Sequence, residues 1–224
     1  MNLLGIFALA LFVQQPRTAS IAGTVVQVGT SQPVVRAVVE MRGGSAREPV
    51  VMTTGNDGKF EFRNLPAGRY QIKVSRAGYQ ESRPVSVDTG QFVKDIRVVM
   101  VPYGAISGRV YDANGDPMAQ ITVQALKYVY AEGAPMLTAM RTDQTDDRGE
   151  YRLFWLPPGT YYVTALPLGT SDVVVKMFEA ATPHAAGRGP ATKTGEAYAA
   201  VYYPGTADIQ GAAPLEVRPG ADFG

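Results

Sequence analysis

Cysteine is absent from the 224 residues, and histidine and tryptophan occur once each. The first absence excludes structural disulfides and thiolate chemistry, and leaves the redox compartment unreadable from cysteine. One histidine without cysteine is too little for a zinc site of the usual ligand set. Charge is also scarce. Asp, Glu, Lys and Arg make up 18% of the chain and sum to +1, with no basic block of the kind that tracks phosphates, so nucleic acid is excluded as a partner class. Heptads and long 3.6-residue periodicities are missing, which argues against helices.

Gly (24), Pro (16) and Tyr (12) are plentiful instead, a composition that suits short strands joined by tight turns. Residues 56–70 organise the chain. Asn56-Asp57-Gly58 supplies a turn that tolerates positive φ. Phe60 and Phe62 then point to one face and Lys59, Glu61 and Arg63 to the other, a half-buried strand. Leu65-Pro66-Ala67-Gly68 turns the chain, and Tyr70, Ile72 and Val74 resume the alternation. The pattern returns as Asp147-Arg148-Gly149-Glu150-Tyr151, closing on Leu156-Pro157-Pro158-Gly159-Thr160-Tyr161. Gly58 to Gly149 and Gly68 to Gly159 are both 91 positions. Upstream, Ile21-Ala22-Gly23-Thr24-Val25 recurs as Ile106-Ser107-Gly108-Arg109-Val110 at offset 85, and residues 35–41 recur as 119–125 at offset 84. Offsets drift when loops change length and strands do not.

The spacing predicts two tandem β-domains, over residues 21–102 and 103–224, joined by Pro102-Tyr103-Gly104. The second differs from the first. A stretch at about 167–197, rich in Ala, Gly, Pro and Thr, reads as a long loop. Beyond it, Pro214-Leu215-Glu216-Val217 matches Pro84-Val85-Ser86-Val87 at offset 130. The first copy then has a strand near residues 92–101, whereas only Ala221-Asp222-Phe223-Gly224 follows Gly220. The expectation is a second domain lacking most of its last strand, with backbone groups open along one sheet edge. Either the sequence is part of a longer protein, or a partner strand fills the gap by β-augmentation.

At the N-terminus, residues 3–13 are an unbroken apolar or small run, too short to span a bilayer and suited to the core of a secretory signal over residues 1–20. No Lys or Arg precedes Arg17, so only the amino terminus supplies positive charge. The reading is export, to a periplasmic, cell-surface or secreted location.

Asn-Asp-Gly-x-Phe-x-Phe-x-x-Leu-Pro-Ala-Gly-x-Tyr, preceded by Ile-x-Gly-x-Val, resembles the carboxypeptidase regulatory-like domain. The resemblance covers residues 21–102 well, and 105–165 with 198–220 less closely. It implies an all-β fold of two transthyretin-like, Greek-key β-sandwiches of about seven strands each. It implies a non-catalytic accessory module of exported proteins, some relatives of which look like carbohydrate-binding or adhesin modules. A fold does not fix a function. No His-Glu-x-x-His peptidase motif occurs. A purine-pathway hydrolase of transthyretin-like fold relies on several histidines, which this chain cannot supply. Related adhesins place an isopeptide lysine in the first strand, and neither copy has one there.

His184 falls inside the expected loop, where a catalytic histidine would lack the rigid packing it needs. Asp112-x-Asn114-x-Asp116 opens like a calcium loop, but Pro117 and Val123 stand where the full pattern needs Gly and Glu, so a plain turn is the better reading. No catalytic, metal or cofactor residue is therefore assigned. Of the second copy's aromatics Tyr128, Tyr130, Trp155, Tyr162, Tyr202 and Tyr203, the ligand-binding candidates are Trp155, Tyr162, Tyr202 and Tyr203. Tyr162 alternates with Tyr161 and should face outward, and Trp155 takes the place of Asn64. Flat rings with polar edges suit sugars or protein interfaces, and core packing is the plainer alternative. The leading expectation is a scaffold or recognition module with a polysaccharide or protein partner. The alternatives are a periplasmic extension of a TonB-dependent type outer-membrane transporter and an accessory domain of a secreted hydrolase.

Overall fold

Strands form where apolar and polar residues alternate, because every second side chain then reaches a common interior. The computed structural model describes residues 19–44, 48–89, 92–131, 133–166 and 200–224. The expected loop at 167–197, the terminal apolar run and His184 lie outside them. The chain divides into two compact units after residue 100, except that residues 78–80 group with the second.

The first unit has seven strands: β1 (Ala19–Gln27), β2 (Val38–Gly43), β3 (Val50–Thr53), β4 (Lys59–Leu65), β5 (Gly68–Ser75), β6 (Val85–Thr89) and β7 (Phe92–Met100). They form two sheets, ordered β4-β1-β7 and β3-β2-β5-β6. All pairs are antiparallel except β1 with β7, which run parallel. Both sheets contribute buried side chains. Ile21, Val25, Phe60, Phe62, Val98 and Met100 come from one, and Val39, Met41, Tyr70, Ile72 and Val74 from the other. Burying each such apolar side chain stabilises by roughly 1.5–3 kcal/mol.

The second unit repeats this with β8 (Gly104–Arg109), β9 (Thr122–Ala131), β10 (Ala134–Gln144), β11 (Glu150–Leu156), β12 (Gly159–Leu166), β13 (Val201–Tyr202), β14 (Leu215–Val217) and β15 (Asp222–Phe223). One sheet is β11-β8-β15. The other is β10-β9-β12-β13, with β14 pairing the opposite end of β12. Ile106, Leu153 and Leu156 of the first sheet close on Val123, Ala125, Tyr161, Val163, Leu215 and Val217.

Four devices recur in the two units. Thr54 Oγ1 accepts the Ala37 N–H and donates to Val34 O, and Thr145 Oγ1 does the same for Ile121 and Met118. The Tyr70 hydroxyl donates to Pro66 O at 2.9 Å, and that of Tyr161 to Pro157 O at 2.6 Å. Asn64 and Trp155 share a left-handed backbone, with φ 55° and 59°. Gly58 and Gly149, at φ 69° and 71°, sit so close to β1 and the end of β8 that a Cβ would lie 2.6 Å from Val25 O or Val110 O.

Some boundaries differ from the sequence reading. β1 begins at Ala19, and Ala19 and Ser20 are buried and paired with Leu65 and Phe92. β2 begins at Val38 rather than 35, because the Ala37 N–H is taken by Thr54. Residues 119–121 precede β9, with Gln120 at φ 59°. β14 is also set differently. Tyr161 pairs with Leu215 where Tyr70 pairs with Val87, an offset of 128 rather than 130. A longer turn restores 130 by β15, which pairs Asp222–Phe223 with Ala105–Ile106 as Phe92–Val93 pairs with Ser20–Ile21. The ladder with β8 is two residues long, whereas that of β7 continues to Gln27↔Met100.

Candidate recognition surface

The four aromatic candidates do not form one site. Trp155 lies on β11, in the smaller sheet, and the three tyrosines lie on or beside β12 and β13 in the other.

Trp155 owes its position to a bulge. β4 and β11 each carry one extra residue near their ends, where the register shifts against β1 and β8. Such a bulge turns consecutive side chains outward. In the first unit these are Arg63 and Asn64, both exposed. In the second they are Phe154 and Trp155, 52% and 51% exposed, with ring centroids 5.3 Å apart in a T-shaped contact. Asn tolerates the left-handed backbone well, and a bulky aromatic does not. Trp155 therefore holds a conformation that costs of order 1–3 kcal/mol, strain of the kind concentrated at functional sites. Beside the pair is a hollow of about 350 Å³ lined by Tyr103, Ala105, Arg152 and Asp222 among others. Arg152 and Asp222 form an ion pair at 2.8 Å. The arrangement presents flat apolar rings next to charged hydrogen-bonding groups.

The larger sheet's outer face is different. Tyr162 does face outward, opposite the buried Tyr161, and meets Tyr128 edge-on at 5.7 Å. Tyr202 pairs with Thr164, two positions along. Tyr162 and Tyr202 are half-buried, and burial first, then neighbouring Tyr128 and Asp208, push the Tyr202 hydroxyl pKa up. Leu126, Thr164 and Leu166 on this face are buried. Their first-unit counterparts are Arg42, Lys73 and Ser75, by the pairing of Arg42 with Gln71 and of Leu126 with Tyr162. A charged face has become an apolar one. Tyr203 is 45% exposed, and its N–H donates to Val163 O at 2.9 Å.

Phe154 escaped the sequence reading. Its signal was available, because the 91-residue offset sets Phe154 on Arg63 and an exposed charge has become a ring. The Asp112 carboxylate is engaged by its own turn, accepting the Asn114 and Asp116 N–H groups at 2.8 and 2.9 Å, which holds its pKa below the ordinary value. Among the described residues no three acidic, His or Cys side chains gather as a metal site.

The carboxypeptidase regulatory-like domain model matches twice, over residues 20–101 and 105–186. The chain belongs to the carboxypeptidase regulatory-like domain family. In this member the second match ends at residue 186, while β14 and β15 come from residues 215–223. The chain is 43% identical to carboxypeptidase E of Caenorhabditis elegans over 63 residues, 27% of this chain and 13% of that protein. It is 26% identical to BOS complex subunit NOMO1 of Mus musculus over 164 residues, 68% of this chain and 12% of that one. It thus spans about an eighth of the length of these curated relatives. Among solved structures, the minor pilin GBS52 of Streptococcus agalactiae is 13% identical with a TM-score of 0.41, covering 91% of this chain and 92% of that one. A likeness of that size carries no functional argument. No described helix is long and apolar enough to cross a membrane.

Proposed function

We propose that this chain is a non-catalytic recognition module acting outside the cytoplasm, and that its second unit holds a polysaccharide against Trp155 and Phe154. The observation that carries this is the exchange of Arg63-Asn64 for Phe154-Trp155 at the same bulge, with the bulky ring kept in a left-handed backbone. A packing role would not need strain at a half-exposed position. Stacking on sugar rings uses flat, pre-set aromatic faces with polar groups at their edge, which Arg152 and Asp222 supply. Tyr203 is a further contact candidate, and Tyr162 and Tyr202 belong to the packed outer face. Export is supported by the apolar run at residues 3–13.

Trp155 is the sole tryptophan, so its emission reports ligand contact directly. Screening the full chain against a panel of bacterial and plant polysaccharides should give a saturable shift in that emission. Trp155→Asn restores the first-unit residue and suits the backbone. It should abolish retention on the polysaccharide and leave the melting temperature equal or slightly raised. If no polysaccharide shifts the emission, or the variant is retained as well as the natural chain, the sugar-binding reading is wrong.

A further inference from the structure

Two rings at right angles offer a sugar something different from two rings in one plane. Phe154 and Trp155 meet at 83°, with centroids 5.3 Å apart. A flat run of pyranoses stacks along coplanar rings, so it cannot lie on both of these at once. One ring can take the face of a sugar while the other stands upright beside it. The hollow next to them has a matching size. It measures about 350 Å³, at the bottom of the range for small-molecule sites, roughly 300–1,000 Å³. Gly78, Gly104, Ala105, Gly220 and Ala221 line it with little or no side chain. That leaves room for one sugar unit, not a cleft for several.

The polar side of the hollow is neutral in sum. Among the described residues, Arg152 and Asp222 are the only charged groups that line it. Arg152 Nη2 donates to Asp222 Oδ2 at 2.8 Å, and Ser107 Oγ donates to Asp222 Oδ1 at 2.9 Å. Each carboxylate oxygen keeps a further lone pair, and a guanidinium has five N–H donors. An acceptor and a donor therefore stand side by side, fixed by their own bond. Adjacent sugar hydroxyls, each both donor and acceptor, match that pair. A uronate does not. Its carboxylate would have to take Arg152 from Asp222 and then lie against a like charge.

We infer that this site holds a single neutral pyranose at a polysaccharide chain end, stacked on the aromatic pair, with adjacent hydroxyls bonded to Arg152 and Asp222. Given the polysaccharide reading above, on which this rests, the ring pair selects an end rather than a run of units.

The test uses the full chain, Trp155 emission and three sets of sugars. These are the polysaccharide retained in the screen, its oligosaccharides of two to six units, and methyl glycosides of its constituent sugars, each beside its uronic-acid form. A neutral methyl glycoside should displace the polysaccharide. Affinity should stay level from two units to six, whereas a second stacked sugar would tighten binding about tenfold. Limited cleavage of the polysaccharide multiplies its ends and should raise the amount of protein bound per gram. Asp222→Asn leaves Arg152 free to take a carboxylate, so the preference for the neutral over the uronic form should fall by about tenfold or more. The unfolding midpoint followed by Trp155 emission shows that this variant is folded. Affinity that climbs with length, no displacement by any methyl glycoside, tighter binding of the uronic form by the natural chain, no gain in binding on cleavage, or an unchanged preference in Asp222→Asn would each overturn the proposal and leave sugar binding in place. Emission that no polysaccharide shifts would instead sink the polysaccharide reading, and the chain-end proposal with it.

Discussion

At the scale of single residues, the two units are held in register by a few side chains whose roles depend on position rather than type. Gly58 and Gly149 tolerate a close approach that any Cβ would block, and their meaning was legible because turn glycines with positive φ recur at a fixed spacing. Thr54 and Thr145 were not legible. A threonine at the end of a strand looks like any other strand residue until its hydroxyl is seen bridging two segments. Asp146 is similar. Its Oδ1 accepts the Glu150 and Arg148 N–H groups at 2.9 Å each, and the Glu150 contact is the main cause holding its pKa below the ordinary carboxylate value. A carboxylate depressed in the folded state stabilises above the ordinary Asp range, and that stability is lost as pH falls through the folded value. The melting-temperature advantage of the natural chain over Asp146→Ala should therefore be full at neutral pH and should close below about pH 4. An advantage unchanged in acid would show that the ionised carboxylate does not matter.

At the scale of elements, period-two patterning located the strands, and turn chemistry located the connections between β4 and β5 and between β11 and β12. What patterning missed follows from three-dimensional partners. β2 starts late because a side chain takes the Ala37 amide. The β14 register slipped by two because Leu-x-Val fits the interior equally well at either setting. The outer face of the larger second-unit sheet shows this most clearly. Leu126, Thr164 and Leu166 are buried where the first unit has Arg42, Lys73 and Ser75. Returning Leu126 to the first-unit residue, Leu126→Arg, buries a charge without a partner and should cost about 3 kcal/mol or more. Arg42→Leu, on an exposed face, should change stability by only about 0.5 kcal/mol. Urea midpoints of the two variants check this, and equal effects would mean that the two faces are alike. Of the binding candidates, only Trp155 stood out by its exchange for a repeat-one residue. Applying that comparison to every outward position would also have found Phe154.

At the scale of the molecule, the chain is one sandwich pattern written twice, with two interiors, and the exposed Phe154–Trp155 ring pair belongs to the second copy. Independent interiors require that damage to one leaves the other's transition in place. Trp155 lies in the second unit, so its emission follows that unit alone, while far-UV circular dichroism sees both. Thr54→Val and Thr145→Val each remove one hydroxyl bridge and strand a buried N–H and carbonyl, a loss of about 2–4 kcal/mol. The most direct measurement is therefore urea unfolding of both variants followed by Trp155 emission and by circular dichroism. Thr145→Val should lower the emission midpoint, and Thr54→Val should leave it unchanged while lowering a separate dichroism transition. If Thr54→Val moves the Trp155 midpoint as far as Thr145→Val does, the two interiors are one cooperative core and the account fails.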